Sequence, residues 1–415
     1  MTASVLGERR FIGTMRLRQG KPFASLERRR VPTLLPALAG IRILELGSSV
    51  AGPSAARQLA DLGADVIKVE PPEGDTLRGW GPAAPDGTSW WFKSHNRNKR
   101  FARFDLHDER DRANVRAIAL SCDVLLENFR PGRLAAWGLG YEQLKADNPR
   151  IIYGSISGFG QDGPYSPRVG FGNIGECMGG LRYITGFPDR APVRVGISLG
   201  DELAALNLVI GVLAALHARD RDGVGDHIDV SLFESCAALL QGAMPEYGAL
   251  GIVREREGNF HNAVAPSGTY PTRDGRYIAI GANVEPIFRR FTALIGRSEL
   301  ADDPDYIGNR ARARNAETLD EIVSTWTRTL TMDEARSALD RADVPNGPVN
   351  SIADIASDPH LRARGFIQQL PDDAGNAITT AAPVPRFRER PSTSDHAARA
   401  IGADTAAVCA DFGLD

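Results

Sequence analysis

The chain has 415 residues, 42% hydrophobic and 24% charged, which excludes a single small module, a disordered chain, collagen or coiled coil and leaves two or three domains, or one large domain with an insertion. Lys and Arg total 49 against 52 Asp and Glu, a formal charge of -3, so no global positive field draws nucleic acid or an anionic membrane surface. Cys122, Cys177, Cys236 and Cys409 form no CxxC pair and the 7 histidines form no HExxH, so neither a disulfide framework nor a metal site has support, and a reducing, cytoplasmic setting fits.

Residues 1 to about 35 carry Arg9, Arg10, Arg16, Arg18, Lys21, Arg28, Arg29 and Arg30 against Glu8 and Glu27, with no apolar secretory core. This extension reads as a transit peptide or, the reading preferred here, as a disordered leader or an overlong translation start. From residue 40 short apolar runs alternate with amphipathic segments. Ile41–Leu46, Asp65–Val69, Asp123–Glu127 and Ile151–Ser155 are predicted strands, and 54–62, 108–121 and 141–147 predicted helices. Strand and helix in turn imply a parallel sheet covered on both faces. The apolar stretch Leu203–Ala218 is shorter than the roughly 18 to 20 residues of a membrane span and is read as a central buried helix. Farther on, Pro266-Ser267-Gly268 and Thr272–Arg276 supply turn chemistry, Tyr277–Gly281 reads as a strand, 315–341 as helical, and Pro345–Pro348 as a break.

Gly170-Phe171-Gly172-Asn173-Ile174-Gly175 matches the GxGxxG dinucleotide fingerprint, but it follows Gly163–Pro167 instead of a buried strand, so a dinucleotide site is rejected. Leu46–Pro53 joins the first strand to a helix with small residues, which suits either a ligand near backbone N–H groups or a tight turn. Lys93, Arg97, Lys99 and Arg100, around Asn96 and Asn98, offer phosphate contacts or form a solvated charged face. Asp201 directly precedes the apolar stretch. It is either an N-cap or a nucleophile kept ionised by the helix terminus.

Taken in order, Leu38–Glu45, Ala51-Gly52-Pro53, Leu62–Asp75, Asn98-Lys99-Arg100, Asp123–Gly132, Gly158–Tyr165 and Ala265–Tyr270 resemble the class III CoA-transferases, which include formyl-CoA transferase and are related to alpha-methylacyl-CoA racemase. The resemblance runs from about residue 36 to residue 390. It implies an α/β fold: a Rossmann-like large domain with a parallel sheet plus a smaller α+β domain, in an interlaced homodimer. The expected division is 1–35 extension, 36–230 large domain, 231–345 small domain, and 346–415 return to the large domain and tail.

By the same resemblance Asp201 is the catalytic nucleophile, which exchanges acyl groups and CoA through an anhydride and an aspartyl-CoA thioester. CoA positions fall at Val50 and Ala51, at Phe104, Asp105, Leu106 and His107, and at Asn128 and Phe129. Arg168 joins them and, with Arg194, is also a candidate partner for the acceptor's carboxylate; each is otherwise a surface charge or structural ion pair. Glu176, four residues after Gly172, is a second catalytic candidate or an exposed helix charge. Glu257–His261 lies where the family places a loop over the reacting carbonyl. Gly172 replaces formyl-CoA transferase's active-site glutamate, Val50 its glutamine and Pro71 an arginine, so formyl and oxalyl substrates are disfavoured. Phe171 stands where the racemase has its second base and cannot exchange a proton.

The expected activity is CoA transfer from a donor thioester such as succinyl-CoA to a small C4–C5 dicarboxylate. The alternatives are a 2-methylacyl-CoA racemase and a non-catalytic CoA-ester-binding protein. CoA esters are substrates, no tightly bound cofactor or metal is called for, and neither nucleic acid nor membrane is a partner.

Overall fold

A computed structural model describes residues 34–261, 263–391 and 394–414. Most of the Arg-rich extension therefore lies outside the described residues. Strands β1 (Arg42–Glu45), β2 (Asp65–Glu70), β3 (Lys99–Arg103), β4 (Val124–Glu127), β5 (Ile152–Ser157) and β6 (His227–Ser231) form a six-stranded sheet, all parallel, in the order β3-β2-β1-β4-β5-β6. The four predicted strands are its four central ones. The two edges were missed because Lys-Arg-Phe-Ala-Arg and His-Ile-Asp-Val-Ser lack the apolar run of a doubly covered strand.

Helices cover both faces, as a parallel sheet requires. On one face α1 (Ala51–Asp61) and α6 (Leu199–Asp222) press Ala55, Leu59, Leu208 and Val212 onto Ile43, Val66, Leu126 and Ile156. On the other, α3 (Glu109–Leu120), α4 (Tyr141–Asp147) and α11 (Thr405–Phe412) bring Val115, Ile118, Leu144 and Val408 against Leu44, Ile67, Leu125 and Tyr153. Between these helices in sequence lie α2 (Trp90–His95) and α5 (Gly172–Met178). Among the described residues α6 alone is long and apolar enough to cross a membrane. Here it packs on β5, β6 and α1, while Leu206, Ile210 and Leu213 stay exposed, so the expected central helix is covered on one side only.

A short helix, α7 (Leu232–Ala237), packs on α5 and α6. The small antiparallel sheet comprises β7 (Ser267–Pro271), β8 (Tyr277–Gly281) and β9 (Asn346–Pro348). The predicted break at Pro345–Pro348 thus contains a strand. Helices α8 (Glu285–Leu294), α9 (Ala316–Thr327) and α10 (Met332–Arg341) close a separate core over it around Tyr270, Ile280, Phe291, Val323 and Leu339. The hairpin β10 (Ile367–Pro371) and β11 (Ala377–Ala381) then returns the chain to the large sheet. There Asp404 N donates to Phe101 O at 2.9 Å and α11 lies along β3.

The basic cluster around residues 93–100 is neither a phosphate site nor a solvated face. Lys93 pairs with Asp86 and Asp372 at 2.6 and 3.1 Å, Arg97 with Asp61 at 2.6 Å, and Arg100 with Asp65 and Asp411 at 2.8 and 2.6 Å. Lys99, fully buried, meets Glu45 Oε2 at 2.7 Å and donates to Pro53 O and Asn96 Oδ1. Lys68 reaches the other oxygen of Glu45 at 3.0 Å, Asp75 at 2.9 Å and Gly47 O at 2.7 Å. Burial works against the charge on Lys68, but Glu45 and Asp75 outweigh it and hold the ammonium above the ordinary lysine range. Burial, aided by Lys68, lowers Lys99 to about 8 despite Glu45.

Replacing Lys68 by Met leaves the buried Asp75 without a cation and Glu45 with Lys99 alone, and urea unfolding is expected to show a loss of about 3–5 kcal/mol. Arg221→Met, at an exposed pair with Asp222, changes stability by under about 1 kcal/mol.

Candidate active site

The sheet order reverses between β1 and β4, so the loops leaving their carboxyl ends part toward opposite faces and open a crevice, the usual ligand position in such sheets. Asp75 accepts from Ser49 N at 3.0 Å and steadies that residue at φ 63°. Asn128, just past β4, bridges the crevice: its Oδ1 accepts from Ser48 N at 2.9 Å and its Nδ2 donates to Ser48 O at 2.8 Å. Helix α1 starts behind this clamp at Val50 with no side-chain cap. His95 sits at 3.0 Å from Val50 O, and burial with Arg57 and Lys99 nearby lowers it to about 3. The ring is neutral, so Nε2 carries the proton it donates to that carbonyl. Val50 and Ala51, both buried at the start of α1, and Asn128 are therefore brought together at the crevice, while Phe129 turns its ring to the second core.

The segment after β3 divides. Phe104 is buried in the second core, Asp105 Oδ1 accepts from His107 N at 2.8 Å, and the carbonyls of Leu106 and His107 accept from Arg112. Phe104 and Asp105 thus build the turn, and His107 is exposed. The His107 ring packs edge-on to Trp137 at 5.4 Å, Phe129 packs on the same indole at 5.8 Å, and the Arg133 guanidinium lies 4.3 Å above it. Trp137 joins the loops after β3 and β4. Nothing in the local pattern marks it.

Asp201 lies in the first turn of α6, where α5 crosses. A Cβ on Gly200 would stand 2.7 Å from Gly172 O and 3.2 Å from Cys236 Sγ, and a Cβ on Gly172 would stand 2.1 Å from Asp201 Oδ2. Only two glycines permit this crossing. The other glycines of the GxGxxG match serve close packing too: a Cβ on Gly170 would meet Gly158 Cα, and one on Gly175 the Leu232 carbonyl, both at 2.9 Å.

Glu176 is 3% exposed, and so is not a surface charge. Its Oε1 accepts from Gly200 N at 3.2 Å and its Oε2 pairs with Arg182 at 3.2 Å, which ties α5 to the start of α6. Burial, then Glu202 and Glu176, push Asp201 up to about 7, with Arg194 pulling the other way. A helix N-terminus offers a first-turn carboxylate about 0.3–1 kcal/mol, less than the ~1.4 kcal/mol that moves a pKa by one. It cannot offset this rise, so the helix does not keep Asp201 fully ionised at neutral pH. Its carboxyl makes no hydrogen bond among the described residues. Burial with Glu176 and Asp201 nearby raises the Cys236 thiol to about 11, which removes it as a competing nucleophile.

Ser54 Oγ donates to Glu202 Oε2 at 2.7 Å, linking α1, one turn past the crevice, to the residue after Asp201. Phe171, 68% exposed, precedes Gly172. Arg168 is exposed and stacks 4.7 Å over Tyr165 and 5.2 Å over Phe159, apart from the crevice residues, and Arg194 donates to Ile197 O at 3.2 Å. The 257–261 loop rests on the segment after α5: Gly258 N donates to Gly186 O at 2.9 Å.

A family model described as CoA-transferase family III matches residues 38–405. The chain belongs to CoA-transferase family III. It is 43% identical over 376 residues to a succinyl-CoA–D-citramalate CoA-transferase of Chloroflexus aurantiacus, covering 90% of this chain and 94% of that one. A succinate–glutarate CoA-transferase of Agrobacterium fabrum is 36% identical over 386 residues, covering 89% and 96%. The crystal structure of a CAIB/BAIF family protein from Brucella suis superposes with a TM-score of 0.82 at 36% identity, covering 91% of this chain and 100% of that one. This chain is therefore a CoA-transferase, on a mixed α/β fold.

Gly172→Ala is expected to lower kcat/KM by about 100-fold by displacing the Asp201 carboxyl, with the far-ultraviolet circular dichroism unchanged. The native state also holds the Asp201 proton more tightly than an unfolded chain, whose ordinary value is 3.8. This group's contribution to stability is full below that value and is lost as pH rises through about 7. Asp201→Asn is accordingly expected to exceed the parent in urea resistance at pH 8, with the gap closing near pH 4.

Proposed function

We propose that this CoA-transferase moves CoA from succinyl-CoA to a C4–C5 dicarboxylate, with Asp201 as covalent carrier. The observation that carries this reading is the Asp201 carboxyl itself: seated on Gly172, half-buried, and ionising near neutrality. Partial desolvation raises a carboxylate's nucleophilicity, while a value near 7 leaves much of it ionised at working pH.

The four exchanges balance without net proton transfer. An Asp201 oxygen attacks the donor thioester carbonyl; the C–S bond breaks and CoA leaves as thiolate, giving an acyl-aspartyl anhydride. The thiolate attacks the Asp201 acyl carbon and expels the donor carboxylate, leaving an aspartyl-CoA thioester. The acceptor carboxylate then displaces the thiolate to form a second anhydride. Attack of the thiolate on the acceptor's acyl carbon finally releases the new CoA ester and the Asp201 carboxylate. The energy of the thioester is retained throughout, provided water is excluded.

In this scheme the crevice at Val50, Ala51 and Asn128 holds the CoA moiety, and the Ser54–Glu202 contact marks the short path from there to Asp201. Glu176 acts as a positioning residue by holding Gly200 N. Arg194, whose charge opposes the rise at Asp201, is the candidate partner for a substrate carboxylate. The names of the relatives support dicarboxylate acceptors, and Gly172 leaves that position without an acid. Exposed Leu206, Ile210 and Leu213 on α6, with Met244, Tyr247 and Leu250 on the helix Ala243–Leu250, support a homodimer, which the resemblance implies is interlaced.

Incubation with succinyl-CoA is expected to leave an aspartyl-CoA adduct on Asp201, visible by intact-protein mass spectrometry and absent from Asp201→Asn, with transfer to citramalate, malate or glutarate lost in that variant. Activity should rise with pH through about 7. Exchange of an alpha proton from deuterated water without CoA transfer would instead establish a racemase. Light scattering is expected to give twice the mass of the 44.8 kDa chain.

A further inference from the structure

Beneath Phe129, on the face of the sheet opposite α6, lies a line of polar side chains that the transfer chemistry does not use. Glu127 ends β4, 5% exposed, and its Oε2 accepts from Phe129 N at 2.7 Å. Ser155 stands directly opposite it on β5, and the Ser155 hydroxyl favours the ionised form of the carboxyl. The same hydroxyl is 2.9 Å from His227 Nε2 on β6, and His227 borders a cavity of about 420 Å³ lined also by Glu127, Arg130, Tyr141, Tyr153 and Gln161. A carboxyl, a hydroxyl and an imidazole thus stand side by side on three adjacent strands, from an open cavity to the turn that carries Asn128 and Phe129.

We propose that Glu127 is a positioning residue for CoA-ester binding, its ionised carboxylate holding the Asn128–Phe129 turn through Phe129 N, and Ser155 and His227 forming the route by which its proton comes and goes. This rests on the reading of the crevice as the CoA site. With Glu127 ionised, Ser155 donates to the carboxylate and His227 Nε2–H donates to Ser155. With Glu127 protonated, the carboxyl donates to Ser155 and Ser155 to an unprotonated Nε2, so the chain reverses without an unpaired group. A hydrogen bond to a charged acceptor is roughly twice as strong as one to a neutral acceptor. The turn is therefore held firmly in one state and loosely in the other, and Asn128, the clamp on Ser48, follows it.

The surroundings make the change accessible near neutrality. Burial, opposed by the bonds from Ser155 and Phe129 N and reinforced by Asp229 on β6, raises Glu127 to about 7. The other groups facing this line are Tyr153 from β5, held above the ordinary tyrosine range by burial and Glu127, and His227 from β6. Asp229 from β6, Asp226 just before it and Glu142 from α4 act on His227, while Arg130 contributes a positive charge from the loop after β4. The acidic side chains outnumber the cation.

The test is equilibrium binding of free CoA, with no turnover, to the full-length chain between pH 5.5 and 8.5. Affinity is expected to strengthen about tenfold as pH rises through about 7. Glu127→Gln should bind with the weaker, low-pH affinity throughout. Ser155→Ala, a smaller change that removes a bond favouring the ionised carboxyl, should shift the inflection upward by about half a pH unit or more. In turnover assays Glu127→Gln should raise KM for the CoA ester at pH 8 and leave kcat within about twofold, a split that loss of fold would not produce. A Glu127→Gln chain whose affinity keeps the parent's pH dependence, or an inflection unmoved in Ser155→Ala, overturns the proposal and leaves the Asp201 chemistry standing. Failure of the parent chain to bind CoA at any pH, with turnover intact, overturns it by removing the crevice reading instead.

Discussion

The site depends on one steric constraint: α5 and the first turn of α6 approach so closely that neither Gly172 nor Gly200 has room for a side chain. The contact sets where Asp201 sits, because its carboxyl rests on the space a Cβ at Gly172 would fill. It also sets the carboxyl's chemistry. Packing the helix terminus onto α5 strips water from the acid and brings Glu176 alongside, and these effects exceed what the helix terminus returns. Position and reactivity thus have a common origin in backbone packing.

The crevice rests on a different foundation. Glu45 on β1, Lys68 on β2, Lys99 on β3 and Asp75 in the loop after β2 place four charges out of solvent, an arrangement whose desolvation cost makes it a weak source of net stability. Its effect is positional. Lys68 holds Gly47 O, Lys99 holds Pro53 O, and Asp75 holds Ser49 N, so the turn from β1 into α1 is gripped at three points along its length. Asn128 supplies the grip from the opposite loop. A turn fixed in this way keeps its backbone groups oriented without closing over them.

The sheet was legible where strands are buried on both faces, since apolar runs such as Ile43-Leu44 and Val124-Leu125-Leu126 admit few other readings. Edge strands were not, and the basic cluster was misread for a related reason. The acids that neutralise it, Asp61, Asp372 and Asp411 among them, are distant in sequence, so nothing local distinguishes a buried lysine from a solvated one. Asp201 could be singled out only through the resemblance, because an N-cap and a nucleophile look alike at a helix start. That burial would raise its pKa depends on Glu176 and Glu202 folding beside it. Trp137 and the line from Glu127 to His227 join strands that the sequence does not reveal as neighbours.

The small antiparallel unit with its helices lies between β6 and β10, and the chain then returns to lay α11 along β3. No strand of the parallel sheet lies within it. Insertions, deletions and wholesale exchange in that stretch therefore leave the parallel ladder unbroken. Lineages of this fold can diversify there, remodelling whatever the unit meets.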